Sequence, residues 1–550
     1  MINRIACRCF NALMICLLTV LLGISLISTT HIDENEGVYY VSDFPLVHFG
    51  IILLLVISAA LLKTKFNIRL QKRCVLILAG IVGMIMLIYV SLTMYYPRFD
   101  QRHVLQIAGY MLDGNYEEFL PGGYAQIYPY QNGLILFYEF MTILFKDMAY
   151  VAIQYVNLVF IMLSYGALYV LYKKYVGSHL YALAGILLFI PMWGYVTFVY
   201  GNVPALCFGL WGAVFFLEVL SDERKFASEW GVLTPKALLA GMLLALASIF
   251  KVTQFILIIA LFIAAALELL KNKNIKSIVL ILATVVMIIA GNSAVNHAVV
   301  NQTRQEVSEG IPALPYIAMG LHEQVFRGAG WHDNYPENLY EETGYDAKLT
   351  NEAAINDIKE NIDNFLAHPS YFVGFYVRKT AAMWNEPSYD SLSMQMNRTS
   401  QHEEVLPAIR MMNERGALNS FIYQLMNILE SIILFGALVY FIMNFKNDDM
   451  KSMTLALFVM GGYCFHMIWE SSSQYAVFYM LILSAYALIG YRGFVLYLLK
   501  AGKKRIVRLL AAALVIILVL SIPKVCSVLT LDRSNELYGE YLSGTLDWQM

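Results

Sequence analysis

Charge is scarce in this chain. Only 14% of its 550 residues are Asp, Glu, Lys or Arg, against about 25% in a soluble domain. A soluble globular class is excluded, and the mean hydropathy of +0.60 agrees. Cysteine is scarce too. Seven stand at positions 7, 9, 16, 74, 207, 464 and 526, none of them in the long polar segment, so no disulfide framework organises the fold. Cys7 and Cys9 alone are too few for a closed zinc site. Strict apolar–polar alternation is absent, which excludes an outer-membrane barrel. The net charge of −2 is close to balance, and no basic-aromatic stretch points to nucleic acid.

Long apolar runs are what the chain has in quantity. Runs of about 17–25 residues recur, each long enough to cross a bilayer core. Spans are expected near 10–28, 45–62, 74–95, 149–172, 178–196, 203–220, 237–250, 253–270, 277–298, 421–444, 452–469, 475–497 and 506–523. The expected fold is therefore an all-α polytopic membrane protein with about 13 transmembrane helices. Arg4 and Arg8 precede the first run, but no small-x-small cleavage site follows it, so it reads as an uncleaved span rather than a signal peptide.

The expected organisation follows. Residues 1–73 hold two N-terminal spans. Residues 74–298 form a membrane core, with a first outer loop at 96–132 and a short helix at 133–146 that does not cross. Residues 299–420 form a polar segment, 421–523 the C-terminal spans and 524–550 a tail. Lys and Arg cluster at 63–73, 173–174, 271–276 and 492–508. All fall on one side if the N-terminus is cytoplasmic. The first loop, the polar segment and the tail are then expected outside a cell membrane.

The chemistry is expected in the polar gaps on that outer side. Asp100 stands between Arg98 and Arg102, just after the break at Pro97, and Gln101–Leu112 has helical spacing. Two readings are open. Asp100 caps the helix, as Asp commonly does, or it is a general base for an acceptor hydroxyl. In the second reading Arg98 and Arg102 clamp a phosphate and hold the Asp100 pKa down. His103 is either a surface histidine or a pocket residue. Tyr124, Tyr128 and Tyr130, in GGYAQIYPY, are an interfacial belt or a wall that packs on sugar rings. Lys251 at a hairpin turn snorkels or holds a phosphate. Arg378, Lys379 and Trp384 fall in a run expected to lie on the outer surface as a helix. Before it, Ile355, Ile358, Ile362 and Phe365 mark the packed face of an amphipathic helix over 351–366. Glu470, Gln474 and Tyr475 form another outer turn, where an ionisable group is functional or merely interfacial. His322, Glu323, His332 and Asp333 match no familiar ligand spacing, and no metal site is expected from them.

Five stretches, in this order, resemble the integral-membrane glycosyltransferases of the C-type (GT-C) fold, in their bacterial protein-mannosyltransferase-like branch. They are PRFDQRHVLQIAGYML, YPYQNGLILFYEFMTILF, SIFKVTQ, RKTAAMWNEP and ESSSQY. The resemblance covers roughly 74–495. It implies a GT-C-type bundle with outer-face loop helices and a polyprenyl-phosphate sugar donor. It also implies inversion at the anomeric carbon, and Asp100 as the base. Gln101 stands where that family often has a second acid, Gln474 where an arginine is common, and the two spans at about 10–62 precede its usual first helix.

On this reading the donor phosphate meets Arg98, Arg102, Lys251, Arg378 or Lys379. His103, Tyr124, Tyr128, Tyr130, Trp384, Glu470, Gln474 and Tyr475 line the substrate pocket. No cofactor is required, and a divalent cation is optional because phosphate is a fair leaving group. The partners expected are the lipid donor, the bilayer, and a glycan, lipid or protein acceptor outside the membrane. Two other functions remain open. A flippase or transporter of lipid-linked sugars would place charges midway along spans. A polysaccharide polymerase or ligase would draw on a diphosphate carrier.

Overall fold

The computed structural model describes residues 2–65, 70–222, 230–324, 327–396, 398–402, 404–414, 416–522 and 540. The expected tail at 524–550 lies outside these residues except for Glu540, as do parts of the connectors at 66–69 and 223–229. The chain is an all-α polytopic membrane protein, with one small β-hairpin among the described residues. Apolar runs become helices because hydrocarbon offers backbone N–H and C=O groups no other partner. In chain order come α1 (Ile2–Ile27), β1 (Ser28–Ile32), β2 (Val38–Ser42), α2 (Pro45–Lys65), α3 (Lys72–Thr93), α4 (Phe99–Leu112), α5 (Tyr124–Ile127), α6 (Asn132–Phe145) and α7 (Ala149–Leu171). Then follow α8 (His179–Leu187), α9 (Pro191–Gly194), α10 (Asn202–Ser221), α11 (Trp230–Phe250), α12 (Phe255–Asn272) and α13 (Lys276–Thr303). The polar segment holds α14 (Ala313–Gly320), α15 (Tyr335–Glu342), α16 (Ala347–Ala367), α17 (Pro369–Trp384) and α18 (Pro407–Asn413). The chain closes with α19 (Ala417–Met443), α20 (Met450–Ile468), α21 (Ser473–Lys500) and α22 (Lys503–Leu520).

Among the described residues ten segments are long and apolar enough to cross a membrane, and α8–α9, bent by 57°, makes an eleventh. The remaining two of the 13 expected spans are also helices. Lys451 and His466 lower the hydropathy of α20, and α22 opens with Lys503, Lys504, Arg505 and Arg508. The expected short helix is α6. Its 14 residues span about 21 Å, less than a ~30 Å hydrocarbon core.

The two N-terminal spans are built into the bundle. α1 packs along α19, and the junction is stitched by buried polar groups. The Ser25 and Ser431 hydroxyls lie 2.7 Å apart, and His48 Nδ1 is 2.8 Å from Ser431 Oγ. Its Nε2 is 3.1 Å from Asp43, and Asn427 donates to Thr29 Oγ1 at 2.7 Å. Such hydrogen bonds hold helices together where hydrophobic contrast with lipid is weak. The acidic stretch between these spans is not a plain loop but the antiparallel β1–β2 hairpin, with Ser28 opposite Ser42 and Ile32 opposite Val38.

One end of the bundle collects the basic connectors, with Arg4–Asp448 (3.0 Å), Lys236–Glu218 (3.2 Å) and Lys451–Glu268 (3.4 Å). The other end gathers the β1–β2 tip, the α3–α4 junction, the turns before α10 and α12, the turn before α21 and the polar segment.

Two expectations for the polar segment are corrected. α16 is capped by Asp346, which accepts from the N–H groups of Lys348 and Leu349, but it buries Thr350, Ala354 and Phe365. Phe365 and Ile358 of the expected face do pack, whereas Ile355 and Ile362 stay exposed, because α16 meets α14 along a stripe rotated toward Thr350 and Ala354. The run expected to lie on the surface is α17, whose half from Phe375 to Trp384 is mostly buried. Arg378 donates from Nε and Nη2 to Glu323 at 2.8 and 2.6 Å. Lys379 is wholly enclosed and donates to the carbonyls of Gly320 and, at 2.8 Å, Trp469. Both cations are spent on the fold. Arg378→Met is expected to cost about 3–5 kcal/mol by stranding a buried carboxylate. Arg378→Met with Glu323→Gln should recover most of it, as read by thermal unfolding of the detergent-solubilised protein.

Candidate active site

A cavity of about 490 Å³ opens where the connectors meet. Its walls come from six separate stretches: the β1–β2 tip, the start of α4, the Tyr128–Gln131 turn, Phe198–Tyr200, Lys251, and the turn at Glu470–Tyr475. Tyr316, Arg327, Trp331, His332, Asn334, Glu337 and Met394 complete it.

Asp100 sits in the first turn of α4, which begins at Phe99 with φ +47°. The N-cap position belongs to Arg98, which makes no side-chain capping bond, and Asp100 is the second residue of the helix, so the capping reading does not describe it. Its side chain faces the cavity and accepts a hydrogen bond from the Tyr200 hydroxyl at 3.4 Å. Asp100 is open to the cavity, but the protein packed around the cavity lowers the polarity of that space. Desolvation therefore pushes its pKa up, against the pull of Lys251 and then His332. The expectation of a pKa lowered by Arg98 and Arg102 is corrected. Residues two apart on a helix point to opposite sides, so Arg102 turns away from the cavity. Arg98 donates to the Met396 carbonyl at 2.5 Å and to the Glu34 carbonyl at 3.3 Å.

Arg98 and Phe99 also line a second cavity of about 700 Å³, walled by Tyr96, Pro97, Leu105 and Tyr150, with Arg102 on it. The guanidinium of Arg98 lies 4.7 Å from the centre of the Phe99 ring. Arg98 and Phe99 thus form the partition between the two spaces. The first carries four acids; the second carries two arginines and no acid.

Lys251 terminates α11 and faces the first cavity rather than snorkelling to a surface. Its ammonium lies over the rings of Tyr200 (4.5 Å) and Tyr475 (5.4 Å). Burial lowers its pKa to about 8, against the carboxylates of Glu470 and Asp100. The Tyr475 hydroxyl donates to Glu470 at 3.1 Å, and burial raises the Glu470 pKa. His332 donates to Glu337 at 3.2 Å, and the Tyr128 hydroxyl donates to the same carboxylate. Burial favours the neutral imidazole, but the Glu337 bond and the Glu470 charge outweigh it and lift His332 to about 9. His332 is a cation at neutral pH.

The structure thus brings Asp100, Arg98, Lys251, Tyr128, Tyr130, Glu470, Gln474 and Tyr475 to one cavity. It leaves others aside. His103 is exposed, 3.4 Å from Glu118 and stacked on Tyr124, which backs the wall rather than lining it. Trp384 is buried against Tyr479, with ring centres 5.4 Å apart. Gln101 is engaged in the fold: its Oε1 accepts the Val199 N–H at 3.0 Å and fixes the chain beside Tyr200. Among the described residues no group of three or more His, Cys, Asp and Glu could hold a metal. His322 pairs with Asp333 at 2.5 Å, apart from the His332–Glu337 pair.

Several cavity residues were missed in the sequence. Tyr200 stands in the turn before an apolar span, a signal that could have been read. Glu36, Tyr316, Arg327 and Glu337 offered none, because they reach the cavity from stretches far apart in the chain.

Fold and site together define a polytopic membrane protein with a charged cavity at one end of its helix bundle. The chain belongs to the family described as conserved hypothetical integral membrane protein, which matches residues 2–330. No curated protein matches it. Two solved structures are similar. One is the archaeal oligosaccharyltransferase AglB from Archaeoglobus fulgidus, in complex with an inhibitory peptide and a dolichol-phosphate. It is 12% identical, with a TM-score of 0.42, and the match covers 84% of this chain and 56% of that one. The other is the Archaeoglobus fulgidus oligosaccharyltransferase tethered to an acceptor peptide containing the NVT sequon, at 13% identity and a TM-score of 0.40, covering 85% and 56%. The chain spans just over half the length of these proteins.

Proposed function

We propose that the protein is an inverting membrane glycosyltransferase of the GT-C type that uses a polyprenyl-phosphate sugar. The observation that carries this reading is the pairing of two cavities across Arg98 and Phe99. One holds a carboxylate with a raised pKa facing a lysine; the other offers arginines and an aromatic wall without acids. A phosphate is attracted to the acid-free cavity at Arg98 and Arg102, and the first isoprene units pack on Tyr96, Leu105 and Tyr150. The sugar reaches past Phe99 into the first cavity. There Asp100 takes the proton of an acceptor hydroxyl. The acceptor oxygen bonds to the anomeric carbon from the face opposite the phosphate, and the bond from that carbon to the phosphate oxygen breaks. The electron pair leaves with the phosphate, whose charge Arg98 balances directly and Lys251, across the Arg98–Phe99 partition, offsets at longer range. Tyr128, Tyr130 and Tyr475 form the sugar wall. No general acid is needed for such a leaving group. The Lys and Arg distribution supports a cytoplasmic N-terminus and a site on the extracytoplasmic face of the cell membrane. A cell-surface glycan, a lipid-linked glycan or a protein is the acceptor.

The test is donor class. Proteoliposomes carrying the protein, supplied with membrane glycan acceptors, should transfer label from a polyprenyl-phosphate sugar and not from a polyprenyl-diphosphate sugar. The reverse preference would indicate a polymerase or ligase. Movement of labelled lipid between leaflets without a glycosidic product would indicate a flippase.

A further inference from the structure

The β1–β2 hairpin, contributed by the two N-terminal spans, reaches the same cavity. Its tip is Asp33–Gly37, and Asn35 and Glu36 form part of the wall. The turn is tightly specified. Asp33 Oδ1 accepts from the N–H groups of Asn35 and Gly37, both at 2.8 Å, and Oδ2 from the Tyr39 hydroxyl at 2.7 Å. A Cβ on Gly37 would come within 2.5 Å of Asp33 Oδ2. The hairpin is fastened below by Thr30, whose N–H donates to the Asn385 carbonyl at 3.0 Å and whose hydroxyl donates to the Ala381 carbonyl at 3.1 Å. The tip is therefore rigid and aimed.

Glu36 occupies the position in this turn that suits it least. Its φ is +63°, a left-handed conformation that glycine adopts freely and a residue with a Cβ does not. Its side chain makes none of the bonds that hold the turn. Instead Oε2 meets Arg327 Nη1 at 2.8 Å at the cavity wall, with each side chain 33% exposed. A strained residue whose carboxylate points into a cavity is where function is to be sought. The other cavity acids are engaged by neighbours: Glu337 by Tyr128 and His332, Glu470 by Tyr475, Asp100 by Tyr200. Glu36 is engaged too, by Arg327, but both side chains stand on connecting segments at the cavity wall and remain one-third exposed.

We infer that Glu36 and Arg327 form a clamp for neighbouring hydroxyls of a sugar ring in the first cavity. The carboxylate accepts from two adjacent hydroxyls, and the guanidinium donates to their oxygens. This inference rests on the glycosyltransferase reading and assigns its sugar selectivity to the N-terminal hairpin. The ring belongs to the donor or to the acceptor, and kinetics separates the two. Glu36→Gln and Glu36→Gly are expected to raise KM about tenfold to a hundredfold for whichever substrate carries the clamped ring, the loss typical of a hydrogen bond to a charged group. KM for the other substrate should stay within about twofold and kcat should fall less than KM rises. Glu36→Gly should also leave thermal stability equal or higher, since glycine relieves the φ of +63°. A merely structural role predicts the opposite pattern, lost stability with KM unchanged, and would overturn the clamp.

Binding is measured separately by saturation-transfer NMR of the full chain in nanodiscs with methyl glycosides of common hexoses and pentoses. At least one should bind the wild type and weaken in Glu36→Gln. Absence of any such dependence overturns the clamp, even where sugar transfer is found. Glycoside binding that depends on Glu36, without transfer from a polyprenyl phosphate, would sink the reaction and leave the clamp standing.

Discussion

Asp100→Asn should leave a folded protein that transfers sugar at least about a thousandfold more slowly, within the range ascribed to a positioned general base. Asparagine keeps the shape of the side chain and can still accept from the Tyr200 hydroxyl, which lies 3.4 Å from Asp100, so the cavity wall survives. Stability should not fall at neutral pH. The folded-state pKa of Asp100 is raised by desolvation, so its ionised form is disfavoured by folding. Its favourable contribution exists at low pH, below the ordinary carboxylate value, and is lost as pH rises through the raised one. Removing the charge therefore removes a burden at pH 7, beyond the small helix-dipole term of about 0.3–1 kcal/mol. The wild-type acidic limb of kcat/KM belongs to the same group and should lie above the usual aspartate range. Normal turnover in Asp100→Asn membranes, with the protein present at wild-type level, would remove the base assignment.

The parts of this site that were legible in the sequence share one property. Asp100, Lys251 and Glu470 are ionisable residues at the ends of long apolar runs, and the alternation of spans alone puts those ends at one face. Spatial partners could not be read in that way. Arg378 and Lys379 looked like phosphate ligands because Glu323 and the Gly320 and Trp469 carbonyls, which accept their hydrogen bonds, lie 55 or more residues away in the chain. Arg102 was different. Its spacing of two from Asp100 on a helix already sets the two side chains apart, and the flanking pattern Arg98–Asp100–Arg102 concealed it. Gln101, in place of a second acid, serves the backbone of Val199, so a departure in motif became a fold contact that builds the Tyr200 side of the cavity. Glu36 could not have been found, since a hairpin between two spans gives no sign of where its tip will land.

Lys251 should dominate the alkaline side of the pH profile. Its pKa is lowered to about 8 by burial, so it loses its positive charge as pH rises through about 8. If that charge balances the departing phosphate, kcat/KM should fall above this pH, and with the Asp100 limb the profile becomes a bell. His332 titrates in the same direction at about 9, so a substitution at Lys251 is what separates the two groups. Lys251→Met should cost about tenfold to a hundredfold in kcat, less than the roughly hundredfold to thousandfold lost with a donor in direct contact, because Lys251 acts across the partition. Lys251→Arg is the sharper measurement. Arginine stays protonated throughout the accessible range, so this variant should keep measurable activity while its alkaline limb moves well above pH 8. The ammonium of Lys251 lies 4.5 Å from the Tyr200 ring centre, and a guanidinium can stack on the same face. A limb still centred near 8 in Lys251→Arg would assign the titration to another group and remove Lys251 from the charge balance of the reaction.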